Sequence, residues 1–297
     1  MEDTAKQYTF EDSLKSIETE NLLDRIFYRP IGYRIALLLT KTGVTPNTIT
    51  IISIFIGVFA GILFFPQNIW INIAGFALLV IANILDCVDG QLARLTGIKS
   101  PIGRILDGLA GNLWFISIYI SIALRLSADF GAAVAWTAAT LSGLSNLIQS
   151  NIVDYYKTAH LYFISSAKGN EFETVSSIKA KHSAMPRGIN KALYVLYVYY
   201  STIQMFITPQ LQKLLARLTA EYGKDIPQNI RNSLRANSSR IMPILNIITF
   251  NGRSIALLIS VLTQIFWIYL AFEIVVLNIV LVVAIRRYEQ SCKMFSR

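Results

Sequence analysis

Asp86, Asp89 and Asp107 stand in the string DCVDGQLARLTGIKSPIGRILDGLAG, next to long apolar runs. Carboxylates at a bilayer are costly unless they face a polar cavity, pair with a base or bind a cation. Three of them with one nearby arginine, Arg94, point to a cation. Asp86, Asp89 and Ala93 are spaced i, i+3, i+7, so a helix running on past an apolar span sets them on one face. Asp107 opens the next helix and can meet them across a groove. Hard divalent cations take such oxygen ligands and complete their shell with phosphate oxygens. Gly90 and Ala93 permit close approach to the backbone, and Arg94 offers planar donors to a phosphate. Spacing alone therefore yields a metal and a phosphate. Taken singly, acids capping helix ends and an arginine snorkelling to headgroups explain these residues well enough. As a set, the acids repel one another and need a compensating cation.

The elements that must carry these residues are membrane helices. The chain has 297 residues, 54% hydrophobic and 15% charged, with the apolar residues gathered into runs, and it reads as an integral membrane protein. Apolar runs lie at about 48–65, 69–85, 104–125 and 131–152. Residues 254–287 form one further run with Glu273 as its only interior charge. As a single helix it would extend roughly 51 Å against a hydrocarbon core of about 30 Å. Two helices joined by a tight turn near Glu273 are expected instead, giving six spans. Residues 19–41, with Leu22, Ile26, Ile31 and Ile35 interleaved with Arg25, Arg29 and Arg34, predict an amphipathic interfacial helix that Pro30 would kink.

The net charge of +9 sits in segments flanking the spans, which favours anionic lipid headgroups and phosphate-bearing substrates over nucleic acid. Residues 66–68 and 127–129 hold no Lys or Arg, whereas residues 151–250 hold 12 Lys or Arg against 5 Asp or Glu. The positive-inside rule then places both termini and the acid motif in the cytoplasm of a cytoplasmic (inner) membrane protein. Residues 191–207 could be a seventh span, but the basic stretch that follows would then face outward, so a surface-lying helix or a small cytoplasmic subdomain is expected there. Cys87 and Cys292 imply no disulfide framework, and the polar first twenty residues predict no cleavable signal peptide.

The motif spacing resembles the signature of the CDP-alcohol phosphotransferase family, D-x2-D-G-x2-A-R-x8-G-x3-D-x3-D. Asp86, Asp89, Gly90, Ala93, Arg94, Gly103 and Asp107 fill seven of its eight fixed places, and Gly111, followed by Asn112, stands where the family carries its last Asp. The resemblance implies that Asp86, Asp89, Gly90, Ala93, Arg94 and Gly103 bind a CDP moiety. It implies that Asp86, Asp89 and Asp107 hold Mg2+ or Mn2+, with Asp107 the remaining catalytic carboxylate. The implied reaction is attack of an acceptor hydroxyl on the β-phosphorus of a CDP-alcohol, releasing CMP. The family's last Asp is placed to take the hydroxyl proton, which Gly111 cannot do. A base from elsewhere (Asp154, His160 or His182), an acceptor whose own phosphate takes the proton, and nucleotide binding without efficient turnover are the three accounts left open. The segments NGRSIALLISVL and IRRYEQ resemble the family's fifth and sixth helices, which makes Arg253, Arg286 and Arg287 candidates for gripping an acceptor phosphate. Positive-inside flanking explains these three arginines equally well.

The expectation is thus an all-α integral membrane protein with six transmembrane helices, an N-terminal interfacial helix and a helical cytoplasmic insertion. Its segments are 1–45, 46–152 with the motif, the insertion 153–252, the last two spans at 253–288 and a tail at 289–297. The expected activity is transfer of a phosphatidyl group from CDP-diacylglycerol to a polyol or polyol phosphate, such as inositol phosphate or glycerol phosphate. The rivals are transfer of a headgroup from a CDP-amino-alcohol to a lipid alcohol, and a nucleotide-binding pseudoenzyme. Expected partners are a CDP-activated lipid or alcohol, the membrane, and a second copy of the chain in a homodimer.

Overall fold

The computed structural model describes residues 8–98, 100–165, 183, 188–223 and 225–295, and among these the ordered elements are all helical. The chain divides into two compact units, Met1–Ala132 and Ala133–Arg297.

The first unit holds α1 (Arg29–Leu39), α2 (Pro46–Ile62), α3 (Ile69–Thr96) and α4 (Pro101–Phe130). The chain supplies each helix start. Thr45, Asn68 and Ser100 accept hydrogen bonds from first-turn amides, and Pro46 and Pro101 follow two of these caps. Gly97, at φ 75°, ends α3 in the left-handed conformation that glycine adopts without strain. With 28 residues, α3 extends about 42 Å. It therefore outlasts a hydrocarbon core of roughly 30 Å, and its acidic end emerges where charge is tolerable. α2 meets α4 through two glycines one turn apart. A Cβ on Gly57 would fall 2.2 Å from the Trp114 ring, and one on Gly61 would fall 1.7 Å from Ser117 Oγ. Such small-residue stripes let spanning helices approach closely.

Residues 22–39 are helical, and Pro30 does not break the run. A π-helical turn over Asp24–Tyr28 precedes it and widens the backbone where the proline ring would otherwise meet a carbonyl. This helix buries Tyr28, Gly32 and Ala36, spaced by four, and leaves Leu22, Ile26 and Leu38 exposed. Gly32 lies against Gln91 and Cys87 of α3, where no side chain would fit.

The second unit holds α5 (Ala132–Ile164), α6 (Ile189–Ile207), α7 (Pro209–Tyr222), α8 (Gln228–Ser239), α9 (Met242–Ile247) and α10 (Phe250–Thr263). It ends with α11 (Trp267–Ala271), a π turn over Phe272–Val276, and α12 (Leu277–Phe295). Leu211, Leu214 and Leu218 of α7 and Leu234 of α8 share a core with Tyr156 of α5 and Tyr288 of α12, whose rings stack at 4.0 Å. The Glu289 carboxylate accepts hydrogen bonds from the Gln210 and Leu211 amides at 2.6 and 3.3 Å, so α12 caps α7. Asn151 donates to the Tyr200 carbonyl at 2.9 Å and ties α6 to α5.

Four stretches are long and apolar enough to cross a membrane: Ile69–Thr96, Ile105–Phe130, Met242–Thr263 and Trp267–Phe295. Among the described residues four helices thus have the length and composition of a span, against the six expected. Pro46–Ile62 is apolar but shorter, and the 33-residue α5 carries Asn146, Gln149, Asn151 and Asp154 along its length. The last turn also differs from expectation. The chain reverses over Gln264–Phe266, where Gln264 takes φ 57°, and not near Glu273. Glu273 lies inside the following helical stretch, fully buried, because Arg253 neutralises it there.

Candidate functional site

The carboxylates of Asp86 and Asp89 on α3 and Asp107 on α4 each bring an oxygen within 4.8 Å of the others. Asp89 is buried, Asp86 is half-buried and Asp107 is exposed. The local sequence arranges this. The Asn47 amide, in the first turn of α2, donates to Ser100 Oγ at 3.1 Å, and Ser100 caps α4 by accepting from the Gly103 amide at 2.9 Å. A Cβ on Gly103 would fall 2.4 Å from Asn47 Oδ1, so glycine there lets α4 start beside α2. The Thr50 hydroxyl donates to Asp89 Oδ2 at 2.5 Å and fixes that carboxylate's rotamer.

Arg94 folds back over Gly90. Its Nη2 and Nη1 lie 3.3 and 3.4 Å from where a Cβ at position 90 would stand. Its Nε donates to the Ser13 carbonyl, and Nη2 is buried with no hydrogen-bond partner among the described residues. Arg94 is close enough to Asp89, and Arg29 and Lys15 to Asp86, for their charges to interact. Arg29 is itself paired with Glu20 at 3.0 Å. The Tyr28 phenol is pushed up to about 12 by burial first and Asp24 second, so it remains neutral at physiological pH.

The other candidates belong to the second unit. Arg253 is buried, with Nε donating to Glu273 Oε1 at 3.2 Å and Nη2 to Gln149 Oε1 at 2.7 Å, and it also reaches the Ile248 carbonyl. Arg286 and Arg287 are exposed on α12. Of the alternative bases, His160 is fully buried with Nδ1 2.7 Å from Ser238 Oγ, Asp154 is exposed on α5, and His182 lies outside the described residues. Among the described residues a Cβ on Gly111 would meet nothing within 4 Å beyond its own helix backbone.

Sequence reasoning missed Thr50, Asn47, Ser13 and Gln91. Thr50 and Ser53 are buried hydroxyls on an otherwise apolar helix, and that is the signal that could have drawn attention to this face of α2. Ser13 meets Gln91 and Arg94 only through the tertiary fold, and nothing in its local sequence marks it.

Fold and site together define an integral membrane protein whose described elements are helical, with a three-carboxylate cluster at the end of a helix long and apolar enough to span. Residues 43–175 match the family model of the CDP-alcohol phosphatidyltransferases. It is 37% identical over 122 residues to the archaetidylinositol phosphate synthase of Pyrococcus horikoshii, covering 41% of this chain and 58% of that protein. Over 140 residues it is 27% identical to the phosphatidylinositol phosphate synthase of Mycobacteroides abscessus, covering 46% and 59%. An archaetidylinositol phosphate synthase from Aeropyrum pernix is 31% identical over 103 residues, covering 33% and 51%. The chain thus spans between half and three fifths of these relatives' lengths.

Proposed function

We propose that this protein moves a lipid phosphatidyl-type group from a CDP-activated lipid to inositol phosphate or a closely similar polyol phosphate, releasing CMP. The observation that carries the reading is the three-carboxylate cluster, with Thr50 pinning Asp89 and Arg94 folded over Gly90, inside the family-matched segment. Two carboxylates 4.8 Å apart repel by roughly 3 kcal/mol at an effective dielectric of about 20, less where Asp107 meets solvent. A divalent cation, Mg2+ or Mn2+, held by Asp86, Asp89 and Asp107 would remove that repulsion and neutralise a pyrophosphate. The oxygen-only donor set suits such a hard ion. Gly90 leaves room for the Arg94 guanidinium folded over it, Ala93 keeps the neighbouring side chain small, and the Arg94 Nη atoms would donate to a phosphate of the nucleotide.

In the reaction the acceptor hydroxyl oxygen bonds to the β-phosphorus, the bond from that phosphorus to the bridging oxygen breaks, and CMP leaves with that oxygen. The hydroxyl proton needs an acceptor. Asp107 is the one member of the cluster exposed to an incoming alcohol, and we assign the proton to it. The names of the relatives support inositol phosphate as acceptor, with Arg253, Arg286 and Arg287 retained as candidates for its phosphate. Charge asymmetry supports a six-span topology in which α2 and α5 also cross, residues 22–39 lie in the interface and the site faces the cytoplasm. Gly111 supports a second reading, a nucleotide-binding protein with little turnover.

One experiment separates the two readings. Purified protein is incubated with CDP-diacylglycerol or CDP-archaeol, Mg2+ or Mn2+, and inositol phosphate or glycerol phosphate, and CMP and product lipid are followed. Acceptor-dependent CMP release that EDTA abolishes supports the transferase. Tight cytidine nucleotide binding with no CMP from any pair supports the second reading.

A further inference from the structure

Residues 8–20 form a strap across the end of α3 that carries the acids, and no part of the family signature lies in it. The strap is built to stay in place. The Tyr33 hydroxyl donates to the Tyr8 carbonyl at 2.7 Å, and the Phe10 ring packs edge-on against Tyr33 with centroids 5.4 Å apart. A 3₁₀ turn over Glu11–Ser13 buries Ser13 completely. The Ser13 hydroxyl donates to the Phe10 carbonyl at 2.6 Å and accepts from Gln91 Nε2 at 3.0 Å. The second Gln91 amide hydrogen goes to the Arg29 carbonyl at 3.1 Å. Gln91 is itself fully buried, so one side chain fastens both the strap and α1 to α3.

The Ser13 carbonyl then accepts from Arg94 Nε. A guanidinium held by its inner nitrogen can still rotate little, because its plane follows the fixed acceptor. Its two Nη atoms are thereby laid over Gly90, next to Asp89, and Nη2 is buried with no hydrogen-bond partner among the described residues. A buried N–H of a cation without an acceptor is expensive to hold unless something arrives to accept from it. An anion bound beside the carboxylates would accept from it.

We infer that the strap, through the Ser13 carbonyl and its Gln91 latch, is the positioning element for Arg94, holding Nη2 ready to donate to a diphosphate at the carboxylate cluster. The inference rests on the nucleotide site proposed above and adds residues outside its signature. Ser13 and Gln91 touch no substrate; they act through Arg94.

A double-mutant cycle on the full chain in detergent tests it, with Mg2+ and CDP as the probe and titration calorimetry as the readout. Ser13→Ala removes the hydroxyl that Gln91 grips and leaves the main chain. It should weaken CDP binding by roughly tenfold, the worth of one charge-assisted hydrogen bond. Arg94→Ala should weaken it at least as much, and the double variant should bind no more weakly than Arg94→Ala alone. A strap that merely stabilises the fold would cost the same in both backgrounds, so additive losses overturn the inference, as does an unchanged affinity in Ser13→Ala. Should Ser13→Ala not fold, Gln91→Ala closes the same cycle. Failure of the unaltered chain to bind CDP refutes the nucleotide site and the strap's role with it. Binding that is indifferent to the strap refutes the strap's role alone.

Discussion

Replacing Gly111 by Asp supplies the carboxylate that the family signature carries and this chain lacks, and its cost can be worked out from the structure. Among the described residues a Cβ at 111 meets nothing within 4 Å beyond its own helix backbone, so the first carbon of the new side chain displaces no neighbour. Position 111 is interior to α4, where exchanging Gly for Asp gains a few tenths of a kcal/mol, roughly 0.3, in helix propensity. Asp107 lies one turn earlier, and a like-charged pair at that spacing costs about 0.2–0.5 kcal/mol. These two effects nearly cancel, so the thermal midpoint should move by no more than a degree or two. The rate should not stay put. A positioned general base contributes about 10²–10⁴, equivalent to roughly 3–5 kcal/mol off the barrier. CMP release and product lipid would be measured for Gly111→Asp beside the unaltered chain, over pH and with both Mg2+ and Mn2+. A gain of two decades or more at unchanged stability supports the reading that the missing carboxylate limits the chemical step. If the unaltered chain already turns over briskly and the variant is equal or slower, the proton goes elsewhere, and the assignment to Asp107 or to the acceptor's own phosphate gains.

Thr50→Val keeps the shape of the side chain and removes the donor to Asp89. Mn2+ affinity, read by electron paramagnetic resonance, should fall by about ten- to a hundredfold, the range for a hydrogen bond to a charged group or for loss of an outer-shell partner. Unchanged affinity would mean that Asp89 does not ligate the ion. Arg253→Ala leaves the buried Glu273 without its cation and should cost about 3–5 kcal/mol, lowering thermal stability by several degrees, whereas Arg253→Met with Glu273→Leu should recover most of the loss. If Arg253→Ala instead leaves stability unchanged and raises the KM for inositol phosphate, the guanidinium belongs to the acceptor and its pairing with Glu273 is incidental.

What the chain made legible follows the range over which each interaction acts. The acid motif was readable because its residues are local: Asp86 and Asp89 share one helix face by spacing, and Asp107 follows one short connection later. Helix starts were readable in principle for the same reason, since Thr45-Pro46 and Ser100-Pro101 are cap and first-turn pairs. The GVFAG string held the α2–α4 contact in plain view, as two small residues one turn apart, yet hydropathy alone treats it as more of an apolar run. Arguments from charge misled where a partner far along the chain cancels it. Glu273 looked like an interruption, and so like a turn, because Arg253 lies 20 residues away and only the folded hairpin brings the two together. The true turn falls at Gln264, whose left-handed backbone no propensity favours.

Three acids brought together by two helices are unstable neighbours, and the structure answers each of them differently. Asp89 is buried and receives a short hydrogen bond from Thr50, whereas Asp86 lies near two cations contributed by the N-terminal segments, Arg29 and Lys15. Asp107 is left to solvent. The two that are supported sit on one helix and are held in fixed positions, as metal ligands must be for geometry to matter. The exposed one is free to face an incoming hydroxyl. A family member with its last Asp divides ligation and proton transfer between two carboxylates on α4. On the function proposed above, this chain, with Gly111, would leave both duties to Asp107, and a carboxylate bound to a cation is a poorer base than a free one because the cation lowers its affinity for the proton. That conflict is why restoring a carboxylate at 111 is expected to raise the rate, while removing Asp107 should abolish both ion binding and turnover.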